Sequence, residues 1–161
     1  MRTTIFAVIA VVVLALIFIF FVRGAPEPVQ SQSNKTNREV ALTCTTDMAT
    51  EFHIHPILEI MANGEKQIVP ADIGIQAGCM NALHTHDMVG TIHVESPEKR
   101  DFTLADFFAV WEQSFSREEV LGYGVDATHR IRVIVDGIEV DTFENTILKD
   151  GERIVISYEP I

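Results

Sequence analysis

The chain has 161 residues, a length that favours one compact domain with short additions. It carries 12 basic and 23 acidic residues for a net charge of −11, and from Thr43 onward 8 basic residues face 21 acidic ones, a net −13. A surface that negative excludes nucleic acid and anionic lipid headgroups as partners held by bulk electrostatics, and it attracts cations.

The apolar content is not spread evenly. Residues 5–22 contain no polar side chain. Eighteen residues at helical rise span roughly 27 Å, about one bilayer core. The block is longer than the apolar region of a secretory signal, and Arg23 sits badly for a cleavage after Ala25. An uncleaved single-pass anchor is therefore expected, with residues 1–4 as a short cytoplasmic head and the C-terminal domain outside. Arg2 and Arg23 nearly balance the positive-inside rule. Residues 23–42 are rich in Pro, Gln, Ser and Asn and read as a flexible linker. Within them Asn34-Lys35-Thr36 is a glycosylation sequon, consistent with an outside location. The anchor contains no polar residue and no Gly-x-x-x-Gly pattern, so its sequence specifies no helix partner.

Residues 43–161 read as a compact extracytoplasmic α+β domain, an antiparallel sheet with one main amphipathic helix. Residues 52–60 are strand-like, with Pro56 marking an edge or bulge. Asn63-Gly64 is a turn signal, and residues 66–70 return the chain as a hairpin. Residues 91–95 alternate as another strand, ended by Ser96-Pro97. Thr103-Leu104-Ala105-Asp106 is a short capping box. Leu104, Phe107, Phe108, Trp111 and Phe115 then fall on one helical face, which reads as core packing rather than as an aromatic cofactor box. Residues 130–135 and 138–140 flank an Asp136-Gly137 turn, and residues 153–158 form a last strand. The strand–helix–strand ending is loosely similar to a β-grasp arrangement.

The two cysteines, Cys44 and Cys79, form an even pair that favours a disulfide in an oxidising compartment. The alternative for Cys79 is a soft metal ligand.

Five of the six histidines lie between positions 53 and 93. His53-Ile54-His55 on a strand puts both rings on one face, because strand side chains alternate. His84-Thr85-His86-Asp87 repeats that spacing, and His93 with Glu95 forms a third i, i+2 pair. Imidazole suits zinc, copper, nickel and iron. His84 and His86 are the first candidates for ligands, followed by His55, His53 and His93, with Asp87 as a candidate carboxylate and Met80 as a thioether that would favour copper. A lone His-x-His is often only an amphipathic strand, and His129 reads as an isolated surface histidine.

The run His53-x-His55, Ile73-Gly74-Ile75, Cys79, Leu83-His84-Thr85-His86-Asp87, Gly90, Ile92-His93-x-Glu95-Ser96-Pro97 and Phe107-Phe108-x-x-Trp111 resembles a family of largely uncharacterised prokaryotic proteins, secreted or membrane-anchored. The resemblance covers roughly residues 44–161, and its Leu-His-Thr-His-Asp core is its most specific part. It implies an extracytoplasmic domain rich in histidine and carries no established activity. The closing Lys149-Asp150-Gly151-Glu152-Arg153-Ile154 is similar to archaeal members.

The expected function is a membrane-tethered domain that binds copper or zinc through its histidines for capture or delivery. Two other classes stand beside it. One is a non-metal accessory or interaction subunit working with other membrane proteins, its histidines serving packing and hydrogen bonding. The other is a metal-dependent enzyme, which needs a bound water and a base such as Glu95 or Asp87. Serine nucleophile elbows, phosphate loops, dinucleotide fingerprints and His-Glu-x-x-His are absent from the sequence, so an enzyme is the less favoured class.

Overall fold

A computed structural model of the chain describes residues 34–46 and 50–161. The expected anchor lies outside these residues, and among the described residues no helix is long and apolar enough to cross a membrane. The chain divides into two units, Met1–Asn34 and Lys35–Ile161, and the α-helices and strands among the described residues all belong to the second.

That unit begins with a helix, α1 (Asn37–Leu42), inside the segment expected to be a flexible linker. Local chemistry explains it. The Thr36 hydroxyl accepts the Glu39 N–H, and the Glu39 carboxylate reaches back to the Thr36 N–H at 2.7 Å, closing a capping box. Val40 and Ala41 then bury their side chains in the core. The polar composition of the segment hid two apolar positions, which is all that one short helix needs. Asn34 is exposed just before it.

Two strands that the sequence reads as one come after α1. β1 (Phe52–Ile54) and β2 (Ile57–Ala62) are separated by His55-Pro56 and belong to different sheets. Proline cannot donate to a ladder, so the pairing changes partner there. β2 turns at Asn63-Gly64 into β3 (Glu65–Gln67). Four short strands come next: β4 (Ile75–Gln76), β5 (Cys79–Met80), β6 (Leu83–His84) and β7 (His93–Ser96). Helix α2 (Leu104–Trp111) leads into the small ribbon β8 (Glu119–Val120) and β9 (Tyr123–Gly124). The chain closes with β10 (His129–Val135), β11 (Ile138–Val140), a 3-10 turn (Phe143–Asn145) and β12 (Arg153–Pro160).

The main sheet has the order β11-β10-β12-β2-β3. Its central pair, β12 and β2, is parallel, which corrects the expectation of a purely antiparallel sheet; the outer pairings are antiparallel. A first hairpin, a helix, a second hairpin, and a last strand inserted parallel to the first give the strand order of a β-grasp sheet. The buried alternates Leu58 and Ile60 of β2, Ile131 and Val133 of β10, and Ile154 and Ile156 of β12 share one core with Leu104, Phe107 and Phe108 of α2. Helix α2 stops at Glu112, whose φ is +59°. Phe115 therefore lies beyond the helix, but its ring still meets Phe108 at 4.7 Å between centroids. The Asp106 carboxylate accepts the Thr103 N–H at 3.0 Å and the Arg38 Nε–H of α1 at 2.9 Å, joining the two helices.

A second sheet, with the order β1-β7-β6, is built from the strand before the first hairpin and from an insertion between that hairpin and α2. It is fastened to the main sheet at Gly90. The Leu58 N–H donates to the Gly90 carbonyl at 2.8 Å, and the Ile92 N–H donates to the Pro56 carbonyl at 2.9 Å. Gly90 has a φ of +92°, and a Cβ there would stand 2.1 Å from the Leu58 oxygen, so only glycine fits. Cys44 and Cys79 form a disulfide with their Cα atoms 5.4 Å apart, tying the segment before β1 to the insertion.

Candidate metal centre

The smaller sheet is amphipathic by alternation. Ile54, Val94 and Leu83 are in register across its three strands and point into the core. The residues flanking them in sequence must then share the opposite face. Those residues are His53, His55, His93, Glu95, His84 and the small Ala82. His84 stands directly across from His93, and His53 across from Glu95. His86 comes after β6 with the same two-residue spacing. The strip is five imidazoles wide, with His93 on the central strand.

The rings are in mutual reach. Centroids of His53 and His55 are 4.4 Å apart, those of His55 and His93 4.7 Å, and those of His86 and His93 4.7 Å. His84 lies 4.8 Å from His86 and stacks on His93 at 5.4 Å. Two sets of nitrogen atoms fall within 4.8 Å of one another, one from His53, His55 and His93, the other from His84, His86 and His93. His93 belongs to both. Small ring movements bring ligand atoms this close onto one ion, since metal–imidazole bonds of about 2.0–2.1 Å put two nitrogens no more than about 4 Å apart.

His84 is the most constrained of the five. It is fully buried. Its Nδ1–H donates to the backbone carbonyl of Asn81 at 3.0 Å. A carbonyl can only accept, so the proton sits on Nδ1, and Nε2 carries a lone pair. That Nε2 is buried and has no hydrogen-bond partner in the protein. A backbone carbonyl that fixes the tautomer, with the other nitrogen bare, is the usual outer support of a metal-bound histidine. Asn81 is itself held by its Nδ2–H donating to the Ala41 carbonyl at 2.8 Å, and Thr85 is pinned by donating to the Pro70 carbonyl at 2.8 Å.

The surroundings of the two central rings favour the neutral form, which binds metal. Burial lowers the pKa of His84, with His86 and His53 adding to the shift, against the Asn81 carbonyl and the Glu95 carboxylate. Burial also lowers that of His93, and its neighbours His55, His84 and His86 push in the same direction against Glu95. The outer pair has carboxylate support. Glu95 Oε1 lies 3.1 Å from His53 Nε2, and Asp150 Oδ1 accepts the His55 backbone N–H at 2.9 Å.

The structure brings together His53, His55, His84, His86 and His93. Asp87 belongs to neither set of close nitrogen atoms; its Oδ1 accepts the Val89 N–H at 3.0 Å in a turn. Met80 lies in β5, paired with Ile75 and bridged to Thr45, off the strands that carry the histidines. Cys79 is spent in the disulfide, which removes the thiolate alternative. His129 stands apart, stacked on Tyr158 at 4.9 Å. Asn81 was not legible as part of the site, because a residue that acts through its backbone carbonyl leaves no signal in side-chain type. Glu95 was read as a neighbour of His93 but sits across from His53.

No family model, curated protein or solved structure matches this chain.

Proposed function

We propose that this domain binds a divalent transition metal, copper or zinc, through the histidine strip, and holds it for capture or delivery at the outer side of a membrane. The observation that carries the reading is His84, a fully buried imidazole with its tautomer fixed by Asn81 and its Nε2 left without a partner. An orphaned buried nitrogen costs on the order of 1–3 kcal/mol. Coordination by Nε2 would offset that cost, and His86 and His93 are in place to complete three ligands. The acidic charge of the chain favours a cation near it. The disulfide fits an oxidising compartment, and the apolar residues 5–22 supply the tether. Membership of the secreted or membrane-anchored prokaryotic family that the motifs resemble belongs to the same proposal.

The test is metal analysis of the purified chain after reconstitution with Cu²⁺ or Zn²⁺ and removal of excess. Bound metal in stoichiometric amount, reduced by at least one ion per chain in a His84→Ala/His86→Ala variant that keeps its far-ultraviolet circular dichroism, supports the reading. Metal no higher than background in the wild-type chain overturns it.

A further inference from the structure

We infer that the histidine strip is a two-ion site in which His93 is a shared, bridging ligand, one ring nitrogen to each metal. This rests on the metal-binding reading above and goes further, to the number of ions and how they are coupled.

The inference comes from strand order. β7 is the central strand, with β1 on one side and β6 on the other. His53 and His55 therefore flank His93 from one edge, and His84 and His86 from the other. The two flanking strands are separated by two inter-strand spacings, roughly 9–10 Å. Two nitrogens on one ion can be no more than about 4 Å apart. The close sets of nitrogens divide along the same line. One holds the β1 pair with His93, the other the β6-side pair with His93. Neither set mixes the two flanks. His93 has one ring and two nitrogens, which is what two three-histidine half-sites sharing one residue require. Ions on its two nitrogens would lie about 6 Å apart, from metal–nitrogen bonds of about 2.0 Å and the width of the ring.

The half-sites are chemically unlike. The β6-side half has the buried His84 with its bare Nε2. The β1-side half is open, with His53 and His55 both partly exposed and Glu95 and Asp150 beside them to balance charge. The first ion goes to the preorganised β6-side half, bound by His84, His86 and one nitrogen of neutral His93. When the second ion binds His53, His55 and the other nitrogen of His93, that nitrogen gives up its hydrogen as a proton to solvent, and the new metal–nitrogen bond forms on the electron pair left behind. His93 is then an imidazolate with one bond to each ion.

Copper makes the bridge visible, because two Cu²⁺ ions joined by an imidazolate couple their spins. The purified full chain is titrated with Cu²⁺ alone and monitored by low-temperature electron paramagnetic resonance, with bound copper measured in parallel. The expected course is a signal that grows to one equivalent and then falls as the second ion enters, ending at two bound ions per chain. His93→Phe keeps a planar ring on the strand but offers no nitrogen. Whatever copper it holds should give full, uncoupled signal intensity. His53→Ala/His55→Ala leaves the buried half-site intact and should stop at one ion with an undiminished signal. Wild-type binding that ends at one ion, or two ions with full signal intensity, overturns the bridge while leaving the metal-binding reading in place. A coupled pair that persists in the His53→Ala/His55→Ala variant also overturns it. No bound copper in the wild-type chain overturns both.

Discussion

Gly90→Ala isolates the contact that fixes the histidine sheet to the main sheet. Alanine at a φ of +92° carries strain of about 1–2 kcal/mol. The new Cβ would stand 2.1 Å from the Leu58 oxygen, so one strand must move by about 1 Å, an overpacking cost of roughly 1–3 kcal/mol. That movement weakens the 2.8 Å bond from the Leu58 N–H to the Gly90 carbonyl, a further ~1 kcal/mol. The total is about 3–6 kcal/mol, a fall in melting temperature on the order of 10–25 °C for a domain of this size. Gly137→Ala is the internal control. Gly137 has a φ of +82° in the turn between β10 and β11, but nothing lies within 4 Å of its Cβ position. It should lose only the strain, about 1–2 kcal/mol. Thermal melts of the two variants, both without metal, decide the matter. If Gly90→Ala melts no lower than Gly137→Ala, the close approach of Gly90 to Leu58 is refuted, and with it the account of how the histidine sheet is anchored.

Acidification should weaken the metal-free domain. His84 and His93 have pKa values lowered from an ordinary 6.5, chiefly by burial, so the unfolded chain takes up protons first. Their contribution is complete above about pH 6.5 and is lost as pH falls through the lowered folded-state values; a urea midpoint in the presence of chelator should drop between pH 7.5 and 5.5, and an unchanged midpoint would count against the neutral, buried rings. Removing the disulfide in a Cys44→Ala/Cys79→Ala variant opens a 35-residue loop and should cost about 4 kcal/mol on a chain-entropy estimate, read as a lower melting temperature. Metal content at saturation should stay unchanged in that variant at temperatures where it is folded, because neither sulfur is a ligand.

Much of the main sheet was legible because its signals are local. The Asp136-Gly137 and Asn63-Gly64 turns and the alternation of residues 130–135 and 153–158 each depend on a few consecutive residues, and each became the expected hairpin or strand. The facing of each His-x-His pair was legible for the same reason. What sequence could not show was pairing between distant segments. Nothing in residues 57–62 or 153–160 says that those strands lie side by side in parallel, and nothing near His53 says that it will face Glu95. Residues 52–60 looked like one strand because the alternation runs on through Pro56, whereas the main-chain hydrogen bonds change partner there. Asp87 and Met80 are candidates by chemistry and proximity in sequence; in the fold Asp87 accepts the Val89 N–H in a turn and Met80 lies in the β4–β5 ribbon.

The placement of the disulfide bears on the two His-x-His pairs. Cys44 precedes the segment carrying His53 and His55, and Cys79 precedes the one carrying His84 and His86. With the thiols reduced, the two His-x-His pairs are linked only through the chain between them. The Cys44–Cys79 bond ties the two segments together and raises the effective concentration of one His-x-His pair for the other.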